Sequence, residues 1–313
     1  MTRSVVSLAL LIVTTGRLGA QVRREFTQVH LGVPVRIVLY APDDSAARPA
    51  ARAAFARIAA LEDKMSDYRP ASELRRLETR PGEWVPVSRN LFAVLARAIE
   101  IAGVSDGAFD PTAGPLVALW RETRRTGRLP DAAALDSARA LVGWRHLELD
   151  SARRAVRLAV PGMRLDLGGI AKGYILDAAR AVLAAHGITR VLVEAGGDLV
   201  VGDPPPGTAG WRIEVRAADS AFAARAGALA NAAVATSGPT EQFVRIDGTR
   251  YSHVVDPRTG HALANGVLVT VIAPDGATAD GLATALTVLD AEQQGALLAR
   301  YPGVRASVRE VGE

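Results

Sequence analysis

Apolar positions recur along this chain with two periods, and the period decides the element. Spacings of three and four put Ala54, Phe55, Ile58 and Leu61 on one face of a helix over 50–65. They do the same for Leu91, Val94, Leu95 and Ile99 over 90–102, and Leu116 to Trp120 opens a third helical piece. Ile175, Leu176, Ala179, Val182 and Leu183 mark a further helix, predicted to begin near Ala171 and to stop at Gly187. Ser72 is placed to cap a short helix carrying Glu73 and Leu74. Extended runs fill the rest. FTQVHLGVPVRIVLY reads as one or two strands broken near Gly32 and Pro34, and HLELDSARRAVRLAV as a hairpin turning at Ser151–Arg153. TRVLVEAGGDLVVG is strand, turn, strand; WRIEVR and ALANAAVATSG are one strand each. A hairpin turns at Asp247–Gly248, and Val267 to Ile272 alternates as a strand before a helix starting near Thr278. Residues 41–49 and the charged, proline-punctuated 121–136 are expected to be solvated connections, and Ala138–Val142 a single helical turn.

Composition narrows the class. With 313 residues, 49% hydrophobic and 22% charged, the chain can bury a sizeable core of mixed α and β structure. The formal charge is only +4, and no stripe of arginine alternates with aromatics, which argues against a nucleic-acid role. The chain has no cysteine, hence no disulfide and no lipid-modified cysteine anchor. The first 20 residues differ from the rest of the chain. Arg3, the apolar run VVSLALLIV and small residues up to Ala20 have the layout of an export signal, with a buried first helix as the alternative.

Candidate chemistry centres on RLDLGGIAKGYILDAARAVLAAHG, residues 164–187. Asp166 precedes the Gly168–Gly169 turn, Lys172 follows it, and the first-turn N–H groups of the helix have no partners within it. A carboxylate, an open helix end and an ammonium suit a phosphate or a metal-phosphate, although an ordinary helix start reads the same way and no standard nucleotide-loop spacing is present. Asp280 and Thr284 are four apart, on one helix face; they can hold a hard cation such as magnesium, or serve as a dipole-offsetting aspartate and a carbonyl-bonded threonine. Tyr68 is either a core-edge ring or a stacking face for a planar ligand. Asp110 and Thr112 flank a turn that an Asx-type cap explains without a ligand. Alternation sets His253 and Val254 on opposite faces of their strand, one of them toward solvent or ligand.

Seven segments in order, MSDYRPASEL, GAFDPTAGPLVALW, LDLGGIAKGY, EAGGDL, ATSG, YSHVVDPRTG and ADGLATAL, make the chain resemble the FAD:protein FMN transferase family, ApbE, from about Val29 to Val288. That resemblance implies an α+β fold, with mixed sheets and packed helices forming a single catalytic unit related to the T-fold, over 21–313. It implies FAD as substrate and Mg²⁺ as cofactor. The FMN half passes to a Thr or Ser hydroxyl of an exported acceptor or a membrane redox-complex subunit, and AMP leaves. Carried over by position, Asp280, Thr284 and the carbonyl of Gly169 would hold the metal. Leu31, Tyr68, Ala108, Phe109, Asp110, Asp166, Lys172 and Val254 would line the FAD site, and His253 would handle the proton, with Asp280 as the other candidate base. The chain lacks an internal flavin-acceptor sequence and so resembles the transferring enzyme rather than its target. Three departures stand out: Leu31 where the family often has methionine, Gly169 where it often has Ala or Ser, and Pro239–Glu241 where an aspartate and an aromatic usually follow TSG. FAD hydrolysis to FMN and AMP on the same scaffold, and flavin binding without chemistry, are the competing readings.

The leader layout generates a first prediction. The protein is expected in the periplasm, soluble or loosely attached to the inner membrane, with a mature chain starting at about Gln21. Amino-terminal sequencing after cell fractionation checks this; a cytoplasmic protein starting at Met1 excludes export.

Overall fold

The computed structural model describes residues 21–214, 222, 227–238, 243–264 and 266–310. It opens with a hairpin, β1 (Val22–His30) and β2 (Val33–Ala41), whose two-residue turn puts Leu31 and Gly32 at φ 55° and 74°. Positive φ at both turn positions matches the right-handed strand twist. The break therefore falls at Leu31–Gly32 alone, and Pro34 lies inside β2. Helix α1 (Asp44–Met65) follows at once, so 41–49 is mostly helix rather than loop. The Asp43 carboxylate accepts the Ala46 N–H, and Ala47, Ala50, Ala51 and Ala54 are buried; cap and packing outweigh the N–H that Pro49 lacks.

Next come α2 (Glu73–Glu78), capped by Ser72 as expected, β3 (Val85–Pro86) and α3 (Arg89–Val104). Helices α4 (Gly114–Thr126) and α5 (Ala132–Arg139) replace most of the expected solvated connection, and the expected turn at 138–142 continues from α5, with the Leu141 and Val142 N–H groups bonding the Ala138 and Arg139 carbonyls. Trp120 and Thr123 are buried, which carries α4 past the charged residues to a left-handed Gly127. Strands β4 (Leu147–Asp150) and β5 (Ala155–Leu158) precede α6 (Ala171–Ala185), β6 (Val191–Ala195) and β7 (Asp198–Val201). The described part of WRIEVR is not a strand; Trp211 alone bridges Leu229. The chain continues through β8 (Ala232–Ser237), β9 (Phe243–Ile246), β10 (Thr249–Ser252) and β11 (Val267–Ala273). It ends with α7 (Gly276–Val288), α8 (Ala291–Leu298) and β12 (Arg305–Glu310). The cap that starts α7 is Asp275, so that helix begins two residues before Thr278.

Among the described residues, seven strands form one antiparallel sheet in the order β1-β2-β6-β7-β8-β11-β12. Val35, Ile37 and Leu39 face the helical layer with Val193, Val200 and Val271. Val38, Leu192, Leu199 and Val234 face the other way, beneath Trp211, Phe222 and Leu229. Both faces are covered, and the molecule is α+β, as the patterning predicts.

Helices α6 and α7 lie antiparallel on the first face and touch through glycine. Asp177 of α6 accepts the N–H groups of Gly276 (2.7 Å) and Ala277 (3.2 Å) at the start of α7. Gly173 and Gly276 meet backbone to backbone, so a methyl on either would overlap the other's carbonyl. One turn along α7, Asp280 accepts the N–H of Gly173 at 3.1 Å. Further on, Thr284 lies against Gly169.

Backbone cannot move aside as a flexible side chain can. Gly173→Ala is therefore expected to cost about 3 kcal/mol, the upper end of overpacking penalties. Gly295→Ala, in α8 with open space around it, should stabilise by about 0.5–1 kcal/mol. Urea denaturation of both variants checks the contrast; equal effects would mean the crossing is loose.

Candidate active site at the helix crossing

The start of α6 is occupied rather than open. Ala171 N–H bonds the Leu167 carbonyl at 2.8 Å, and Gly173 N–H is taken by Asp280. Lys172 pairs with Asp198 at 2.9 Å, and the other Asp198 oxygen accepts the Thr236 N–H at 3.0 Å. Asp198 follows the Gly196–Gly197 turn as the first residue of β7 and is 2% exposed; Asp280 is 6% exposed. Two buried carboxylates thus share one ammonium. Burial, and then the charge of Asp198, push Asp280 up to about 7 against the pull of Lys172 and the Gly173 N–H. Asp198 is likewise raised by burial, against Lys172.

Glycine at 169 is what lets this backbone approach α7. A Cβ there would lie 2.7 Å from Thr284 Oγ1 and 3.2 Å from the Phe109 ring. Thr287 bonds its hydroxyl to the Ala283 carbonyl at 2.7 Å, whereas Thr284 makes no protein hydrogen bond among the described residues. A buried carboxylate in excess of local positive charge, an unbonded hydroxyl and a close backbone fit a magnesium ion that also keeps water or phosphate ligands. No group of three or more His, Cys, Asp or Glu with metal-holding geometry occurs among the described residues, so a cation here relies on neutral oxygens besides Asp280.

A second cluster forms around Arg121 of α4. Its guanidinium lies 4.3 Å from the ring centroid of Tyr68, bonds Asp67, and reaches Asp166 at 3.1 Å. The other Asp166 oxygen accepts the Gly168 N–H at 2.7 Å, one residue from Gly169. Burial and the neighbouring Asp67 raise Asp166, while Arg121 opposes them. Tyr68 is 74% exposed, so it is not a core-edge ring, and the face away from Arg121 is available for stacking.

Ala108 and Phe109 are buried, and the Asp110 carboxylate holds its own turn: Oδ1 accepts from Thr112 N and Oγ1, Oδ2 from Trp144 N. Any contact from this turn to a ligand thus falls to its backbone and to Phe109. Strand β10 ends at Ser252 and bends at His253, so strict alternation does not assign His253 and Val254 to opposite faces. His253 is half-buried and Val254 buried, and the following loop is tied to α4 by Trp120 Nε1 on the Gly260 carbonyl at 2.8 Å. A cleft of about 350 Å³, lined by Gly107, Asp110, Trp144, Pro257 and Arg258 among others, joins this loop to the 107–110 turn. Leu31 packs half-buried against the main core at the β1–β2 turn. Pro239–Glu241 lie outside the described residues.

The structure therefore brings Gly169, Asp280, Thr284, Lys172 and Phe109 to one helix crossing, and Tyr68 and Asp166 to the Arg121 cluster beside it. Sequence reasoning passed over Arg121, Asp67 and the pairing of Asp198. Arg121 lies in the stretch expected to be a solvated connection, while Asp198 carries a signal in its place directly after two glycines.

These features define an α+β protein whose polar centre sits where two helix starts meet against an antiparallel sheet. The chain belongs to the ApbE family, whose model matches residues 31–308. It is similar to the FAD:protein FMN transferase of Treponema pallidum, 34% identical over 322 residues, covering 96% of this chain and 88% of that protein. Among solved structures it is similar to the apo form of the Pseudomonas stutzeri flavinyl transferase ApbE, with a TM-score of 0.82, 31% identity and 95% and 94% coverage of the two chains. The ApbE protein of Thermotoga maritima matches with a TM-score of 0.78 at 32% identity, covering 92% and 96%.

A third, part-buried carboxylate stands at the crossing. Burial holds Asp177 at about 6 rather than 3.8, despite its two N–H bonds. The folded chain then binds this proton more tightly than the unfolded chain. Its contribution favours the fold below pH 4 and is lost as pH rises through about 6. Asp177→Asn, neutral throughout, should gain on the wild type across that window by at most about 3 kcal/mol. Denaturation midpoints between pH 4 and 7.5 test this; two parallel curves would mean that Asp177 titrates normally.

Proposed function

We propose that this protein transfers the FMN half of FAD to a Thr or Ser hydroxyl of an exported protein, with Mg²⁺. The observation that carries the reading is the buried Asp280–Lys172–Asp198 network set against the Gly169–Thr284 contact, in a chain of the ApbE family. In the reaction, the acceptor oxygen attacks the FMN-side phosphorus of the pyrophosphate. The bond from that phosphorus to the bridging oxygen breaks, AMP leaves with that oxygen, and the hydroxyl proton passes to a base.

Gly169 through its carbonyl, Asp280 and Thr284 are the residues that would hold Mg²⁺. When bound, the ion supplies charge neutralisation at the pyrophosphate and at departing AMP. Lys172, steadied by Asp198, offers an ammonium to the same phosphates. Tyr68 presents its exposed face to a planar ring, with Arg121 behind it. Leu31, Ala108, Phe109, Asp110, Asp166 and Val254 complete the FAD site. His253 takes the hydroxyl proton, with Asp280 as the alternative base. Residues 1–20 act as the export signal and 21–313 as the catalytic unit, which puts the enzyme beside an exported acceptor protein or a membrane redox-complex subunit that bears the Thr or Ser hydroxyl.

Mass measurement of a Thr-bearing acceptor domain, with parallel AMP release, tests this reading. The acceptor should gain one FMN phosphodiester per AMP. AMP without an adduct would make the protein a FAD hydrolase, and bound flavin with neither product would make it a binding protein. Asp280→Ala should lose magnesium-dependent turnover with its circular dichroism unchanged, and Thr284→Ala should lose less. Tyr68→Ala should mainly weaken FAD affinity, while Lys172→Ala should harm both affinity and rate. His253→Ala should keep FAD binding within a few-fold and slow transfer by roughly 10²–10⁴. Wild-type transfer by His253→Ala would move the base to Asp280.

A further inference from the structure

The crossing of α6 and α7 contains a reciprocal arrangement. A helix begins with N–H groups that lack intrahelical partners. Here each helix supplies a carboxylate to the other's start: Asp177 of α6 accepts Gly276 N–H (2.7 Å) and Ala277 N–H (3.2 Å), and Asp280 of α7 accepts Gly173 N–H (3.1 Å). The two anchors flank the Gly173–Gly276 contact, so the helices can neither slide nor rotate without losing one of them. The other Asp177 oxygen lies 3.7 Å from Arg180, on its own helix, and makes no hydrogen bond among the described residues. That leaves α7 as the element this carboxylate holds.

Asp280 and Thr284 lie one and two turns along α7 from the residues that Asp177 grips. We propose that Asp177 is a positioning residue: by fixing the start of α7 against α6, it sets Asp280 and Thr284 at the distance from Gly169 at which a hard divalent cation binds. This rests on the metal reading of the proposed function. It extends that reading to a side chain outside the set that would hold the cation, one whose bonded oxygen is engaged by Gly276 and Ala277. Removing a group that orients a ligand typically costs 10–100-fold in metal affinity.

Asp275 supplies the control. Its carboxylate also caps α7, accepting Thr278 N–H at 2.8 Å, but it does so from within its own chain segment and makes no such bridge to α6. Loss of either aspartate weakens the start of α7. Of the two, only loss of Asp177 removes a tie between α7 and α6.

The test is a Mg²⁺ titration of the full mature chain without FAD, read by calorimetry and by the Mg²⁺-induced rise in melting temperature. It is run at pH 7.5 on the wild type, Asp177→Ala, Asp177→Asn, Asp275→Ala and Asp280→Ala. Asp177→Ala is expected to weaken Mg²⁺ binding about tenfold or more. Asp177→Asn, which keeps one acceptor oxygen, should recover much of that loss, and Asp275→Ala should bind Mg²⁺ as the wild type does at a similar loss of stability. If Asp280→Ala abolishes binding while Asp177→Ala leaves it unchanged, or if Asp275→Ala weakens it equally, the positioning role is overturned and the metal site stands. If the wild type binds no Mg²⁺, or Asp280→Ala binds it normally, the metal reading falls and the positioning role with it.

Discussion

The contact of Gly173 with Gly276 is the constraint on which the rest of the site depends. Two helix backbones approach so closely there that neither position admits a methyl group. Close approach brings the N–H groups of one helix start within reach of carboxylates on the other, and these satisfy donors that water cannot easily reach. Asp280 is buried as a consequence, and burial raises it. The site's chemistry thus follows from a packing decision made by hydrogen atoms in place of side chains.

Charge is arranged around that crossing in two linked groups. On one side, Asp198 and Asp280 share Lys172, leaving negative charge in excess where a cation would complete it. On the other, Arg121 joins Asp67 and Asp166 while stacking on Tyr68. The Gly168–Gly169 turn connects them: Gly168 donates to Asp166, and Gly169 packs on Thr284. A ligand with a planar ring and a pyrophosphate presents the two chemistries that these neighbouring groups would meet. The sheet holds the first group in place, since Asp198 begins β7 and is fixed through Thr236 of β8.

Much of the fold was legible because its signals are local. The Leu31–Gly32 and Asp247–Gly248 turns, the β6–β7 pair, and the helices beginning near Ala171 and Arg89 all follow from periodicity, caps and turn residues within a few positions. The failures share a cause. Residues 44–49 and 121–126 are helical because buried alanines and Trp120 find distant partners, against the local message of proline and charge. Trp211 covers the far face of the sheet without belonging to a strand, and its burial depends on Leu229 and Phe222.

For the site, the chain by itself determined the cast: the glycine turn, Asp166, Lys172, the Asp280–Thr284 pair at one helical turn, Tyr68, and the ordered motifs that link them to a family. What only the tertiary structure decided is which charges stand together. Lys172 faces Asp198 rather than open solvent, Asp280 occupies the helix start that looked free, and Arg121 reaches Tyr68 and Asp166. Spacing along a chain fixes relations within one element. Burial, and the shift in charge that comes with it, is a property of elements packed against one another, and here it arises where two glycines let two helices touch.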